Sequence, residues 1–345
     1  MKIFKVPLYI ICLFLFACRS DVPEDIPKPD LKFNSGQGVY ITCEGNFQFG
    51  NAKISFYDIT GDTVIEDIYQ PANNSSLGDV CQSMYFFNNK IYIIINNSGK
   101  IVVVNPDNFK LISEITGFIS PRYFLPVSNS KAYITDLYAN KIGVVDLSAG
   151  IITGQIPCKG WTEELLTVYG KVFVTNLKSE YIYIINSSKD VLEDSIKTGF
   201  GSNSIVEDKN GKLWVLCSGN QTKNVSAVLN RINPISQQIE KSLFFRTLSD
   251  SPWRLDINGT KDTLYFINTD VFRISINDSI LPIQAFISQG NKNFYGIGID
   301  PKNGDIYIAD AVDYIQRGVI YRYKRNGSLI RTFRVGILPV DFYFK

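Results

Sequence analysis

Residues 164–196 read "ELLTVYGKVFVTNLKSEYIYIINSSKDVLEDSI": four short runs rich in β-branched and aromatic residues, parted by Gly, Asn, Asp, Ser and Lys. Runs of that length and composition are strands. Labelled A to D, they cover 164–168, 171–175, 181–185 and 191–196. The breaks after A ("YGK") and after C ("NSSK") are short enough for hairpins, so the unit reads as a four-stranded antiparallel meander.

The unit repeats. An apolar-aromatic-apolar run behind a tight turn recurs as "GVYIT", "KIYIII", "KAYIT", "KVFVT", "KLWVL", "TLYFI" and "DIYIA". Its aromatics, Tyr40, Tyr92, Tyr133, Phe173, Trp214, Tyr265 and Tyr307, are 52, 41, 40, 41, 51 and 42 residues apart. Seven such units predict an all-β, seven-bladed β-propeller over residues 38–345, with an open solenoid as the alternative. The first unit begins directly at strand B, and the chain ends on "PVDFYFK" (339–345), a strand A with no B after it. The C-terminal strand is therefore expected to complete the first blade and close the ring, which removes the sheet edges a solenoid would leave.

Ahead of the repeats, "MKIFK" supplies a basic start and "LYIICLFLFA" (8–17) an apolar run too short to span a bilayer. Residues 1–17 read as a signal peptide, and Leu15-Phe16-Ala17-Cys18 resembles a bacterial lipobox in which Cys18 takes the lipid. "RSDVPEDIPKPD", punctuated by Pro23, Pro27 and Pro29, predicts an extended tether within 18–37. The chain has 35 Lys and Arg against 33 Asp and Glu. Without Lys2 and Lys5 the charges balance, which argues against nucleic acid and against a polybasic membrane surface. Cys43, Cys81, Cys158 and Cys217 remain in the body with no metal-ligand spacing, and buried free thiols are the expectation.

In a meander the A–B and C–D turns share one face, and here they are short and rich in Asn, Asp and Gly. The B–C loops (44–51, 218–224, 310–317) and D–A loops (120–124, 159–163, 199–203, 249–254, 291–296) share the other, and they carry the aromatics. Ligand contacts are expected there, from Asn46, Phe47, Phe49, Arg122, Tyr123, Trp161, Trp253, Arg254, Phe294 and Tyr295, with Tyr138, Phe200 and Tyr314 nearby.

There is no histidine, which excludes imidazole triads, imidazole acid-base catalysis and imidazole metal ligation. The loop carboxylates Glu44, Asp79, Asp136, Glu163, Asp250, Asp270, Asp310 and Asp313 could line a calcium-binding funnel, yet no spacing singles them out from ordinary turn caps. The expectation is a binding protein without catalytic residues, metal or resident cofactor.

The lipobox, the acidic Pro-rich tether, "EGN" (44–46) followed by "NAKISFYD", and repeats such as "KIYIIINNSGKIVVVNPDNFKLISEI" resemble the YncE-type propeller lipoproteins, and among them most the surface cobalamin-binding lipoproteins (BtuG-like). That resemblance implies a lipid-anchored outer-membrane protein facing the exterior, which captures a corrinoid such as cobalamin and passes it to a TonB-dependent outer-membrane transporter. The alternatives are a protein-interaction scaffold in an envelope complex and a lactonase-like propeller enzyme.

Overall fold

Each of the seven quoted aromatic runs forms the second strand of a small antiparallel sheet. In the unit 164–196 the strands are Thr162–Val168, Lys171–Asn176, Tyr181–Asn186 and Val191–Lys197, one or two residues longer than the pattern predicts. The computed structural model describes residues 37–345; the signal peptide, Cys18 and the tether through residue 36 lie outside the described residues. Tyr40, Tyr92, Tyr133, Phe173, Trp214, Tyr265 and Tyr307 are all buried.

The core lies between blades. Phe173, Ile182 and Ile184 of the fourth blade pack on Ile205, Leu213 and Val215 of the fifth, and the second and third, third and fourth, fifth and sixth, and sixth and seventh blades join through apolar sets of their own. The first and seventh blades join the same way through Val39, Ile41, Tyr307 and Ala309. Closure is as expected: Pro339–Phe344 pairs antiparallel with Gly38–Cys43, Tyr40 facing Tyr343 and Val39 facing Phe344. The result is a seven-bladed propeller sealed by its C-terminal strand.

The sixth unit departs from the repeat. Four strands are expected in every blade, but this sheet has three, Trp253–Ile257, Thr263–Asn268 and Asp270–Ser275. Beyond Ser275 the sequence "INDSILPIQAFI" lacks strand alternation and contains Pro282, so the chain returns irregularly and, among the described residues, pairs with the third strand through one isolated bridge, Ile287 to Val271.

The Asp or Asn that ends several B strands has a structural task. Asp136 accepts from Ile119 and Ser120 N–H (3.0 and 2.9 Å) and from Tyr138 and Ala139 N–H (3.0 Å each), tying a D–A loop to a B–C loop. Asn176 does the same for Trp161 and Lys178, and Asp310 for Asn293 and Val312. Capping buried loop amides in this way explains why the residue recurs. Cys43, Cys81, Cys158 and Cys217 are buried free thiols, as expected, and burial pushes the Cys43, Cys158 and Cys217 thiols up to about 12.

Candidate functional site

The innermost strands surround the central channel, and all seven carry an irregularity at the same place. Pairing with strand B skips Val340, Gln82, Arg122 with Tyr123, Glu163 with Glu164, Asn203, Arg254 with Leu255, and Tyr295. A bulge bends a strand and re-aims its side chains. Here one bulge per blade gathers a ring of polar residues at the channel mouth. Arg254 adopts φ 58°, a left-handed conformation unusual for a side chain of this size.

Sequence reading put 120–124, 249–254 and 291–296 in loops. The structure corrects this: Arg122, Tyr123, Trp253, Arg254, Phe294 and Tyr295 belong to innermost strands. Phe294 does not reach the face at all; it is buried among Tyr265, Ile287 and Ile297. Trp253 is half-buried and donates Nε1–H to the Tyr295 carbonyl (3.3 Å).

The remaining expected residues separate into channel and rim. In the channel, Arg122 spans Gln82 Oε1 and both Glu163 oxygens (Nε to Oε1 and Oε2, 3.0 Å each), so its guanidinium is committed within the ring. Arg254 Nη1 donates to Tyr123 Oη (3.0 Å) across the channel; its other donors have no hydrogen bond among the described residues. Tyr295 Oη donates to Glu44 (3.4 Å). On the rim, Phe47 and Phe49 are 62% and 77% exposed, on a loop held by the reciprocal Asn46–Asn51 bonds and by Gln48 N–H on Asp79. Asn46 also donates to the Tyr314 carbonyl (3.1 Å), linking the first and seventh blades. Trp161 meets Tyr138 edge-on, with Lys178 Nζ 4.2 Å from its ring centre.

Two chambers share this ring. An upper cavity of about 190 Å³ is lined by Arg122, Tyr123, Glu163, Glu164, Asn203, Trp253, Arg254 and Tyr295. A lower one of about 290 Å³ adds Tyr85, Asp256, Asp341 and Tyr343. Tyr123, Glu164 and Arg254 face both.

Carboxyls outnumber arginines here, and burial dominates the titration of Glu44, Glu164, Asp256 and Asp341. Glu164 is raised to about 8 by desolvation, opposed by the Ile205 N–H (2.9 Å) and by Arg254. Asp256 is raised to about 7 for the same reason, against hydrogen bonds from Ile257 and Ile299 N–H. Glu44 and Asp341 are likewise raised by burial, with Arg254 pulling both the other way. A carboxyl poised near neutrality beside a cation with unused donors can exchange protons with a bound molecule while its carbonyl or oxyanion is held. Among the described residues no three Asp, Glu or Cys side chains are grouped as around a metal ion.

Sequence reasoning named Glu44 and Glu163 but missed Glu164, Asp256 and Asp341. The signal was present: "TEELLTV", "WRLDI" and "PVDFYF" each place an acid inside an innermost strand. The other loop acids named, Asp79, Asp136, Asp250, Asp270, Asp310 and Asp313, accept backbone N–H groups of their own or neighbouring loops.

The fold is shared widely with solved structures. A quinonprotein alcohol dehydrogenase-like protein from Bacteroides thetaiotaomicron is 14% identical with TM-score 0.70, over 91% of this chain and 79% of that one. The periplasmic gluconolactonase PpgL of Pseudomonas aeruginosa is 10% identical with TM-score 0.66, over 89% and 99%. Dihydro-heme d1 dehydrogenase NirN in complex with DHE is 8% identical with TM-score 0.60, over 88% and 74%. At these identities the likeness establishes the fold. It also overturns the expectation that the chain is no enzyme, since that expectation leaned on missing histidine motifs while structures bearing enzyme names share this fold. No curated protein matches the chain. The family described as "Domain of unknown function (DUF5074)" matches residues 37–344, and the chain belongs to it.

Proposed function

We propose that the channel mouth is a hydrolytic site for a small hydroxylated ester of the lactone class. The observation that carries the reading is Glu164, a carboxyl near neutrality, lining one chamber with Arg254 and Tyr123. Ionised Glu164 takes a proton from water as the water oxygen adds to the ring carbonyl. Arg254, oriented by Tyr123, donates to the carbonyl oxygen as negative charge develops there. Collapse expels the ring oxygen, which takes the proton back from Glu164, and the product is the open hydroxy acid. The gluconolactonase among the solved likenesses supports this through the fold only. The test is release of acid from glucono-δ-lactone above its spontaneous rate. Arg254→Gln should lose about 100-fold in kcat, the usual worth of one oxyanion donor, and equal rates in wild type, variant and buffer would reject the reading.

A second reading rests on a different observation, the exposure of Phe47 and Phe49 on a hydrogen-bonded loop at the rim. Such a rim suits capture of a broad, amide-edged ligand such as cobalamin, by a lipid-anchored protein outside the outer membrane that serves a TonB-dependent transporter. Both chambers are too small for a corrin. The ligand would lie across the mouth, stacked on the rim aromatics, with Arg254 beneath it.

A further inference from the structure

We propose that the cleft between the sixth and seventh blades, on the face of the A–B and C–D turns, binds a phosphate carried on a polyol or sugar. The cleft encloses about 690 Å³, more than either channel chamber and within the usual range of small-molecule sites. It exists because the sixth blade stops at its third strand, so no fourth strand covers Arg273 and Ser275. Its wall is a close apposition of two turns: a Cβ at Gly259 would lie 1.8 Å from the Pro301 carbonyl oxygen, so only glycine fits there.

The charges point to the ligand. Arg273, Lys302 and Arg325 line the cleft, against Asp278 as the acidic lining residue. Neither arginine makes an ion pair among the described residues. Arg273 is nevertheless held in place, its guanidinium 3.8 Å from the Phe286 ring centre and its Nη1 donating to the Arg325 carbonyl (3.1 Å). Lys302 Nζ is held by the Lys345 carbonyl (2.8 Å). Asp278 is occupied by the Ser275 N–H (3.0 Å), and Asp262, behind the lining residues, by Asn258, Thr260 and Thr263. Two guanidiniums without an ion pair and an ammonium line the cleft with one carboxylate, leaving it net positive, and the guanidinium fork fits phosphate oxygens. Asn303, Asn326 and Thr260 supply amides and a hydroxyl around the cations, which suits the hydroxyls of a polyol. The chain enters the ring at Gly38 on this same face, so the phosphate could come from a free sugar phosphate or from a lipid headgroup.

The experiment uses the full chain with glucose 6-phosphate by calorimetry and with phosphatidylglycerol vesicles by flotation; glucose and phosphatidylcholine vesicles are the neutral controls. Saturable binding of at least one anionic probe is expected, with the neutral controls unbound. Arg325→Gln should weaken it about tenfold, the loss of one charge-assisted contact, with an unchanged melting temperature. Arg325→Lys should recover part of the loss. Binding should also weaken as salt rises from about 0.15 to 1 M and the screening length falls from about 8 to 3 Å. Glucose 6-phosphate binding identifies a soluble ligand, and vesicle binding alone identifies a headgroup; either supports the site. No saturable binding to either probe, equal binding of glucose, or binding undiminished in both Arg325→Gln and Arg273→Gln would overturn it.

Discussion

Glu164 and Asp256 hold protons at a pH where solvated carboxyls have lost them, and this has a thermodynamic cost that can be measured. The folded-state value of Glu164 is about 8 against an ordinary 4.5. Below about pH 4.5 both folded and unfolded chains carry the proton. Between there and about 8 the unfolded chain ionises first, so stability falls as pH rises, and the fall is complete above 8. Asp256, at about 7, contributes in the same direction. Urea midpoints at pH 5, 7 and 9 should therefore decline in wild type and decline less in Glu164→Gln, which removes the ionisation and keeps the shape. An equal slope in the two proteins would show Glu164 to be solvated. At this scale the sequence was half legible. Arg122, Tyr123, Arg254 and Tyr295 could be singled out because charged and aromatic residues follow the D–A breaks. Glu164 and Asp341 were missed: the strands showed acids, but the bulges beside them, which set what faces the channel, leave no composition signal.

The innermost strands act as a unit with the closing strand. Gly296 and Gly298 lie in the seventh blade's innermost strand, under Pro339–Phe344: a Cβ at Gly296 would stand 2.2 Å from the Val340 carbonyl oxygen, and one at Gly298 2.7 Å from Phe342 Cβ. The two glycines thus serve close strand packing. Gly296→Ala should destabilise by about 2 kcal/mol, as overpacking does, because backbone cannot yield as a flexible side chain can. Deleting 339–345 should cost far more. It strips the first blade of its innermost strand and exposes the Gly38–Cys43 edge, so the thermal transition should broaden and fall well below wild type, where loss of an undocked tail would leave it unmoved. Strand identity and closure were readable because seven copies of one pattern reinforce each other. The missing fourth strand of the sixth blade was less so: the 51-residue step from Trp214 to Tyr265 signalled irregularity one unit early, while the step beyond it, 42 residues to Tyr307, looked regular.

Over the whole molecule, the turn face and the loop face differ as the repeat implied, and the loop face holds both the channel mouth and the exposed Phe47–Phe49 loop. These make separable predictions. Phe49→Ala should leave the melting temperature unchanged, because the ring is largely solvated, and should weaken cobalamin binding about thirtyfold if the rim captures a corrinoid. Calorimetric titration without heat in wild type would remove that reading and leave the channel untouched. The channel carries the central claim, and the pH dependence of glucono-δ-lactone hydrolysis, corrected for the spontaneous reaction, tests it most directly. With Glu164 as the base, kcat/KM should rise with pH and level off above about 8, and Glu164→Gln should lose the enzymatic rate while still melting cooperatively. A rate no greater than that of buffer, or one equally pH-dependent in Glu164→Gln, would contradict the account.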